Sequence, residues 1–341
     1  MKILINQLGR IGDLILITPA FFELKKQFPY AEIYLIAGDK NYQAVIDNTN
    51  LNRIFVYHKG IKGVLKLISQ IRKHKFDYYL DPKDHKSTES GLLSKIVKSK
   101  VKIGCKNPNA NFDIDINEIR AKVDLHFTDV VMAGIKYICA KENKEIKFNQ
   151  TPKPVLYTNL KSEEYLHRYL IENGINEFLL INISASNSNK MWILDRWNEF
   201  ITYLISNNYI IENLQLIICS APTESNDAKS LVSKFIQNVY YFQSRNINDI
   251  FSLVNKAKLL ISPDTSVIHI AAAFDTPIIG LYSGNHIFFD KFKPTYTKEN
   301  AELSQIIRAK DGDDGIHTIE LNQVIEKFEI IKNIFNNEKR N

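Results

Sequence analysis

Short apolar segments rich in β-branched and aromatic residues alternate with helix-length amphipathic stretches along the whole chain. This alternation predicts βαβ units and parallel sheets, because parallel strands need a helical crossover between them. The runs ILI and YYL are continuously apolar, which is typical of strands covered on both faces. In the first half, strands are predicted at Lys2–Asn6, Glu32–Ala37, Arg53–Tyr57, Phe76–Leu80 and Val101–Gly104, and helices at Leu14–Phe28, Lys40–Asn48, Gly60–His74 and Ser87–Ser99.

The pattern pauses near residues 149–160, where two prolines and little periodicity predict a linker, and then restarts. At 341 residues the chain is long enough for two such domains. We therefore predict an α/β fold of two Rossmann-like doubly wound domains, residues 1–155 and 156–341, facing a central cleft at the carboxyl ends of the strands. The last helix is expected to pack back on the N-terminal domain. In the second half, strands are predicted at Phe178–Ile183, Leu214–Cys219, Val239–Phe242, Leu259–Ile261 and Pro277–Tyr282, and helices at Asp195–Ile205, Thr223–Ile236, Ile247–Asn255, Ser266–Phe274 and Thr318–Asn333.

No apolar run approaches the roughly 18 residues that a membrane-spanning helix needs. Gln7, Arg10 and Asp13 interrupt the apolar N-terminus, which argues against a signal peptide. We therefore expect a cytoplasmic protein. The cysteines, Cys105, Cys139 and Cys219, match neither a metal site nor a disulfide framework, so they are predicted to be free thiols.

Positive charge is concentrated in the N-terminal half. Residues 1–150 carry 25 Lys and Arg against 16 Asp and Glu, and the remainder carries 19 against 22. The excess is either a solvated basic surface or the binding surface for an anionic partner. A phosphorylated glycolipid or an anionic membrane surface fits the second interpretation. No motif indicates nucleic-acid binding.

The first candidate site is the turn from Gly9 to Asp13, between the first predicted strand and its helix. Glycines permit a tight turn and close approach to a ligand. Asp13 is either a helix N-cap or a general base, with Arg10 and Gly12 beside it to meet the substrate. The spacing is not that of a GxGxxG dinucleotide fingerprint.

Two further candidates follow strands in the second half. The polar loop from Ser184 to Trp192 contains Ser186 and Lys190, which could hold phosphate oxygens or simply form a polar turn. The segment Asp264–Ala273 predicts a helix whose first amides, from Thr265 to Val267, form an anion site.

The side chains around these turns have structural and functional interpretations. His269 lies one turn into the predicted helix, where a buried structural histidine is the competing interpretation. Glu224 is either a ribose ligand or a carboxylate placed at a helix start. Trp192 and Trp197 are predicted to be packing anchors.

Together these segments resemble glycosyltransferase family 9, the ADP-heptose:lipopolysaccharide heptosyltransferases, over nearly the whole chain. The opening 38 residues contain a G-x-x-G-D turn, a T-P-A helix start and a K-x-x-x-P-x-A step. Lys190-Met191-Trp192 resembles the family's K-x-W. The run DTSVIHIAAAFDTPIIGLYSG resembles its D-T-G-x-x-H-x-A-A segment, with Ser266 where the family usually has glycine.

The resemblance implies a GT-B fold and an inverting, metal-independent transfer of heptose from ADP-heptose to the lipopolysaccharide inner core. The ADP-sugar is a co-substrate, and no cofactor is implied. An anionic glycolipid would be the acceptor, at the cytoplasmic face of the inner membrane, with peripheral membrane contact. Asp13 would be the base, with Gly12 and Arg10 at the acceptor. The donor would contact Ser186, Lys190, Glu224, Asp264, Thr265, Ser266, Val267 and His269.

Other functions remain open at this point. A family relative could use another nucleotide sugar, or another glycan or protein acceptor. A non-catalytic nucleotide-sugar-binding protein is a further alternative, and so is a nicotinamide-dependent oxidoreductase, although the missing fingerprint argues against it. No metal site is expected, because the Asp311–Asp314 run follows no strand and is predicted to be an acidic loop.

Overall fold

The computed structural model describes residues 1–121, 126–313 and 315–338 and divides the chain into two units, Met1–Tyr157 and Thr158–Asn341. Within the described residues, each unit contains one six-stranded sheet in which all pairings are parallel. This is the βαβ architecture that the alternating sequence pattern predicts.

The first unit forms its sheet in the order β3-β2-β1-β4-β5-β6. Its strands are β1 (Lys2–Gln7), β2 (Glu32–Gly38), β3 (Arg53–Tyr57), β4 (Phe76–Leu80), β5 (Ser99–Gly104) and β6 (Ile114–Asp115). Its α-helices are α1 (Ile11–Leu16), α2 (Thr18–Gln27), α3 (Ile61–Ile71), α4 (Thr88–Ile96), α5 (Ile116–Ile119) and α6 (Phe127–Lys141), with a 3₁₀ helix at Tyr42–Val45.

The second unit repeats the same strand order as β9-β8-β7-β10-β11-β12. Its strands are β7 (Phe178–Asn182), β8 (Gln215–Cys219), β9 (Val239–Phe242), β10 (Leu259–Pro263), β11 (Ile278–Tyr282) and β12 (Ser304–Arg308). Its α-helices are α7 (Leu160–Glu172), α8 (Leu194–Ser206), α9 (Ser225–Val232), α10 (Ile247–Lys256), α11 (Ser266–Phe274), α12 (His286–Phe292) and α13 (Leu321–Glu338), with 3₁₀ helices at Ser188–Lys190, Pro222–Glu224 and Ala301–Leu303.

The strand order places a topological switch point in each sheet. Chain connections run in opposite directions from β1 and β4 in the first unit and from β7 and β10 in the second. In open parallel sheets, ligands bind beyond the carboxyl ends of the strands at this point. The predicted turns after β1, β7 and β10 all follow strands that border a switch point.

Two predicted helices differ from the structure. The predicted Leu14–Phe28 helix is broken into α1 and α2 at Ile17, because Pro19 lies in the first turn of α2, where proline is best tolerated. The predicted Lys40–Asn48 helix forms only a 3₁₀ turn, because Asn41 accepts a hydrogen bond from the Gly38 amide and thereby ties this segment to the end of β2.

The sequence pattern missed several elements. Helix α6 is buried on most of its circumference, so it lacks the single apolar stripe of a surface helix. Helix α7 begins where the linker was predicted, with Asn159 as its N-cap accepting from the Ser162 amide at 2.9 Å. The short pair β6 and α5, the helix α12 and the edge strand β12 were also missed.

Large apolar side chains fill the core of the second unit. Trp192 and Trp197 are buried and meet edge to face, with ring centroids 4.8 Å apart, so the packing role predicted for them is confirmed. Helix α13 contributes Val324, Phe328 and Ile331 to the same core, which accounts for its apolar face within this unit.

The three cysteines form no disulfide, so the prediction of free thiols is confirmed. Cys139 and Cys219 are buried, and burial raises the pKa of both thiols.

The packing of α13 predicts a contrast between two of its residues. Phe328 is buried against Phe200 and Tyr209, whereas Ile330 is 37% exposed. Phe328→Ala should lower the free energy of unfolding by about 3–5 kcal/mol, the usual cost of removing a buried ring. Ile330→Ala should change it by about 0.5 kcal/mol or less. Equal losses for the two variants in urea titrations would contradict this packing.

Candidate active site

The turn from Gly9 to Asp13 lies at the carboxyl end of β1, where α1 begins. A Cβ at Gly9 would lie 2.3 Å from Oδ2 of Asp13, closer than any real side-chain carbon. Glycine is therefore needed at position 9 for the Asp13 carboxylate to occupy its position.

Asp13 was predicted at or near the N-cap of α1. The N-cap residue is Arg10, and Asp13 lies half-buried in the first turn of the helix. Oδ2 of Asp13 accepts a hydrogen bond from the Arg10 amide at 2.9 Å. The carboxylate thus stabilises the start of α1, which is the structural role considered for it above. The same hydrogen bond fixes the direction of the Asp13 side chain. Arg10 is exposed and Gly12 is half-buried beside it.

Asn41 was missed in the sequence and holds this turn to the neighbouring strand. Its side chain is 1% exposed. Its amide nitrogen donates to the carbonyl oxygens of Gln7 at 3.1 Å and Gly9 at 2.8 Å, and its oxygen accepts from the Gly38 amide at 2.8 Å. Loops after β1 and β2 are therefore fixed together by one buried amide.

A second pair missed in the sequence bridges β1 and the end of β4. Nδ2 of Asn6 donates to Oδ2 of Asp81 at 2.8 Å, and the Lys83 amide donates to Oδ1 at 3.2 Å. Asp81 is 1% exposed, and desolvation by burial raises its pKa despite these hydrogen bonds. A buried carboxyl group thus lies at the switch point of the first unit.

The second unit has a matching asparagine at the end of its own central strand. Asn182 donates to the Ser184 carbonyl at 3.1 Å, to Ser262 Oγ at 2.9 Å and to Thr265 Oγ1 at 3.4 Å. It therefore connects the loop after β7 with the turn after β10. The sequence signal for both asparagines is the repeated L-I-N at residues 4–6 and 180–182.

The loop after β7 brings Lys190 to the turn after β10. Nζ of Lys190 lies 2.5 Å from Oδ2 of Asp264, and the two side chains are only 15% and 16% exposed. Ser184, at the start of this loop, accepts from the Ala221 amide at 2.7 Å. Ser186 is exposed. Lys190 and Asp264, both predicted to bind the nucleotide-sugar donor, are therefore in direct contact.

The start of α11 is capped by a threonine side chain. Thr265 is the N-cap, and its Oγ1 accepts from the Val267 amide at 3.3 Å. The Val267 amide is therefore engaged in the cap, and the anion site stays a prediction at the amides of Thr265 and Ser266. His269 is 4% exposed, as its structural interpretation requires.

Ser266 fits its position without backbone strain. It is the first residue of α11. In the described part of the chain, the non-glycine residues with positive φ are three asparagines and Asp275. Replacing the usual glycine by serine therefore requires no left-handed backbone here.

Glu224 follows β8, the strand next to β7 in the sheet. Its Oε1 accepts from Thr223 Oγ1 at 2.7 Å. Its Oε2 is buried and accepts no hydrogen bond from any residue that the structure describes. A buried carboxylate oxygen without a hydrogen-bond partner is uncommon in a folded protein.

Within ranges 1–121, 126–313 and 315–338, no three His, Cys, Asp or Glu side chains are grouped to hold a metal ion. Across the same ranges, no helix is both long and apolar enough to cross a bilayer. Asp314, the last residue of the predicted acidic loop, lies outside the described residues.

Comparisons with known sequences agree on one family. A model of glycosyltransferase family 9 (heptosyltransferase) matches residues 64–311. The chain is 25% identical over 288 residues to the lipopolysaccharide core heptosyltransferase OpsX of Haemophilus influenzae, covering 82% of this chain and 78% of that protein. It is 23% identical to lipopolysaccharide heptosyltransferase 3 of Escherichia coli K12, covering 82% and 81%.

Comparisons with solved structures confirm the GT-B class of two Rossmann-like domains. The glycosyltransferase family 9 structure from Veillonella parvula aligns with a TM-score of 0.77 at 17% identity, covering 97% of this chain and 96% of that chain. Escherichia coli heptosyltransferase WaaC with ADP-2-deoxy-2-fluoro heptose aligns with a TM-score of 0.72 at 16% identity, covering 96% and 99%.

Burial of Asp81 predicts an unusual pH dependence of stability. Because its pKa is raised in the folded state, its contribution to stability is complete at acid pH and is lost as pH rises through that pKa. Asp81→Asn should therefore raise the unfolding midpoint at pH 7.5, because the amide is neutral at every pH and avoids the cost of a buried carboxylate. The difference should vanish near the ordinary pKa of aspartate, as followed by calorimetry.

Asp77, on the same strand, is the matched control with the opposite sign. Hydrogen bonds from Lys100 and the Lys2 amide, each 2.7 Å long, outweigh partial burial and lower its pKa. Its stabilisation is therefore present at neutral pH and lost in acid. Asp77→Asn should lower the midpoint at pH 7.5. A lower midpoint for Asp81→Asn at pH 7.5 would contradict the burial argument.

Proposed function

The chain belongs to glycosyltransferase family 9, and from that premise we propose that it transfers heptose from ADP-heptose to a hydroxyl of the lipopolysaccharide inner core. The transfer inverts the anomeric configuration and needs no metal ion. The acceptor is an anionic glycolipid, consistent with the excess of Lys and Arg in residues 1–150. Such an acceptor places the enzyme at the cytoplasmic face of the inner membrane.

One observation carries the proposal. Lys190 reaches the N-terminal end of α11 at the switch point between β7 and β10, where it contacts Asp264 at 2.5 Å. A lysine ammonium beside the first amides of a helix forms an anion site. The diphosphate of a nucleotide sugar would accept from the ammonium donors that Asp264 leaves available and from the first amides of α11, and it suits the position of the site on the sheet.

The strand order suggests how the donor lies along the sheet. With its diphosphate at β7 and β10, its ribose would extend toward β8, where Glu224 offers the buried Oε2 to a hydroxyl. Ser186, exposed in the loop after β7, would add a hydroxyl donor to a phosphate oxygen. His269 supports the turn from the buried side of α11.

The chemistry requires one base and one stabilised leaving group. The Asp13 carboxylate would take the proton of the acceptor hydroxyl as its oxygen attacks the anomeric carbon. The bond from that carbon to the phosphate oxygen breaks with its electron pair, and ADP leaves from the opposite face. Lys190 and the amides of Thr265 and Ser266 would stabilise the negative charge on ADP.

The relatives support this choice of substrates. OpsX and heptosyltransferase 3 are both lipopolysaccharide heptosyltransferases by name, and WaaC has been solved with an ADP-heptose analogue and with ADP. The same donor suits the anion site described above. Arg10 and Gly12, beside Asp13, would meet the acceptor.

Replacing the proposed base separates catalysis from binding. Asp13→Asn should keep ADP-heptose affinity and lower kcat by at least about 100-fold, the lower range for loss of a general base. Turnover is measured as ADP release together with the mass gain of the acceptor, with a chelator present. Near-native turnover by the variant would rule out Asp13 as the base. No transfer by the native enzyme with any nucleotide sugar would remove the proposed activity itself.

The donor site is tested by calorimetry with ADP-heptose, using UDP-GlcNAc, GDP-mannose and NAD as competitors. Lys190→Ala should weaken ADP-heptose binding by about 10- to 100-fold, the value of a charge-assisted hydrogen bond. Lys256→Ala, at the C-terminal end of α10, is the matched control and should bind normally. Equal affinities for all three proteins would exclude Lys190 from the donor site, and preference for another nucleotide sugar would exclude heptose.

A further inference from the structure

Helix α3 carries apolar side chains well beyond the part of its surface that packs on the sheet. Leu67 and Ile71 are buried in the core of the first unit. Ile61 and Leu65, one turn apart and roughly 120° around the helix axis from that buried pair, are 80% and 60% exposed. A helix that serves only to cover a sheet needs one apolar face and a polar outer one. The packing of this unit therefore does not account for Ile61 and Leu65.

Positive charge surrounds this exposed apolar pair. Lys62 and Lys66 follow Ile61 and Leu65 by one residue each and are exposed, as are Arg72 and Lys73 beyond them. Residues 58–76 contain no aspartate or glutamate. The outer face of α3, defined here as Ile61, Lys62, Leu65 and Lys66, is therefore both apolar and cationic.

Two glycines fix the start of α3 on the end of β3. Gly60 has a φ of 97°, which allows the chain to turn sharply out of the strand. A Cβ at Gly63 would lie 1.8 Å from the carbonyl oxygen of His58. This close backbone packing holds the first turn of the helix, and with it Ile61, in a defined direction.

The first turn of α3 lies at the same edge of the sheet as Asp13. Because β3, β2 and β1 are parallel neighbours, their carboxyl ends line one edge. Strand spacing of about 4.8 Å places the ends of β3 and β1 roughly 10 Å apart. A surface that contacts the outer face of α3 would therefore lie close to the proposed base.

We propose that the outer face of α3 docks the protein on an anionic phospholipid bilayer. Ile61 and Leu65 insert among the acyl chains nearest the headgroups, and Lys62 and Lys66 pair with lipid phosphates. Exposed apolar residues beside lysines on one helix face are the chemistry of interfacial membrane helices. Docking does not depend on the proposed function, whereas its use for reaching a membrane-anchored acceptor does.

Flotation of the full-length protein with vesicles tests the proposal. The native protein should bind vesicles of phosphatidylcholine with phosphatidylglycerol, bind pure phosphatidylcholine weakly, and dissociate at high salt. Ile61→Ser with Leu65→Ser, and separately Lys62→Glu with Lys66→Glu, should each lower the partition coefficient by roughly tenfold or more.

Matched controls come from elsewhere in the chain. Leu160 and Ile171, on α7, are 75% and 65% exposed, but Glu163 and Glu164 lie between them. Leu160→Ser with Ile171→Ser should leave vesicle binding unchanged. Lys95→Glu with Lys98→Glu removes the same charge from another exposed part of the first unit and should have a much smaller effect than the α3 reversal.

The outcomes separate the docking surface from the enzyme activity. Absence of native binding to anionic vesicles, or native-like binding by both α3 variants, overturns the proposal. The mass of the protein in solution reports its oligomeric state. If Ile61→Ser with Leu65→Ser converts a dimer into a monomer without loss of vesicle binding, this face belongs to a second copy of the chain instead. ADP-heptose calorimetry on the same proteins confirms that they are folded. Vesicle binding without ADP-heptose binding would keep the surface and reject the proposed donor.

Discussion

A buried asparagine at the carboxyl end of the central strand positions the turns on which each domain depends. The pairing of β1 with β4 ends at Ile5 and that of β7 with β10 ends at Ile181, so the sheet supplies no further hydrogen bonds between these strands. Asn6 connects β1 to Asp81 after β4, and Asn182 connects β7 to Ser262 and Thr265. Asn6 therefore holds the loop after β4 to β1, and Asn182 holds the loop after β7 to the turn after β10. The two domains thus share a buried asparagine at the end of the central strand as well as one strand order.

The ion pair of Lys190 and Asp264 gives the second domain its electrostatic character. Both side chains are largely buried, so each charge depends on the other for compensation. An ammonium group has three donors, and Lys190 can therefore keep Asp264 while it donates to a phosphate oxygen. Asp264 holds the lysine over the start of α11, where the amides of Thr265 and Ser266 add to the positive end of the helix.

The strands other than β6 and β12, and the three turns, could be predicted because they depend on local pattern. Apolar β-rich runs, and glycines, serines and charges directly after them, are visible in any short window. Helix α6 could not be found this way, because burial on most sides removes the stripe that identifies a helix. Asn41 and Asp81 were missed because their roles arise from strand neighbours that lie far apart in sequence. Whether Ser266 is strained could not be predicted either, because only the φ angle of its backbone in the folded protein decides it.

A crystal structure of the protein with ADP-heptose tests the proposed donor site most directly. We predict that the diphosphate lies within hydrogen-bond distance of Lys190 Nζ and of the Thr265 and Ser266 amides, beyond the carboxyl ends of β7 and β10. The ribose should lie on the β8 side, against Glu224. A nucleotide bound to the first domain, or at another edge of the second sheet, would contradict the assignment of these turns.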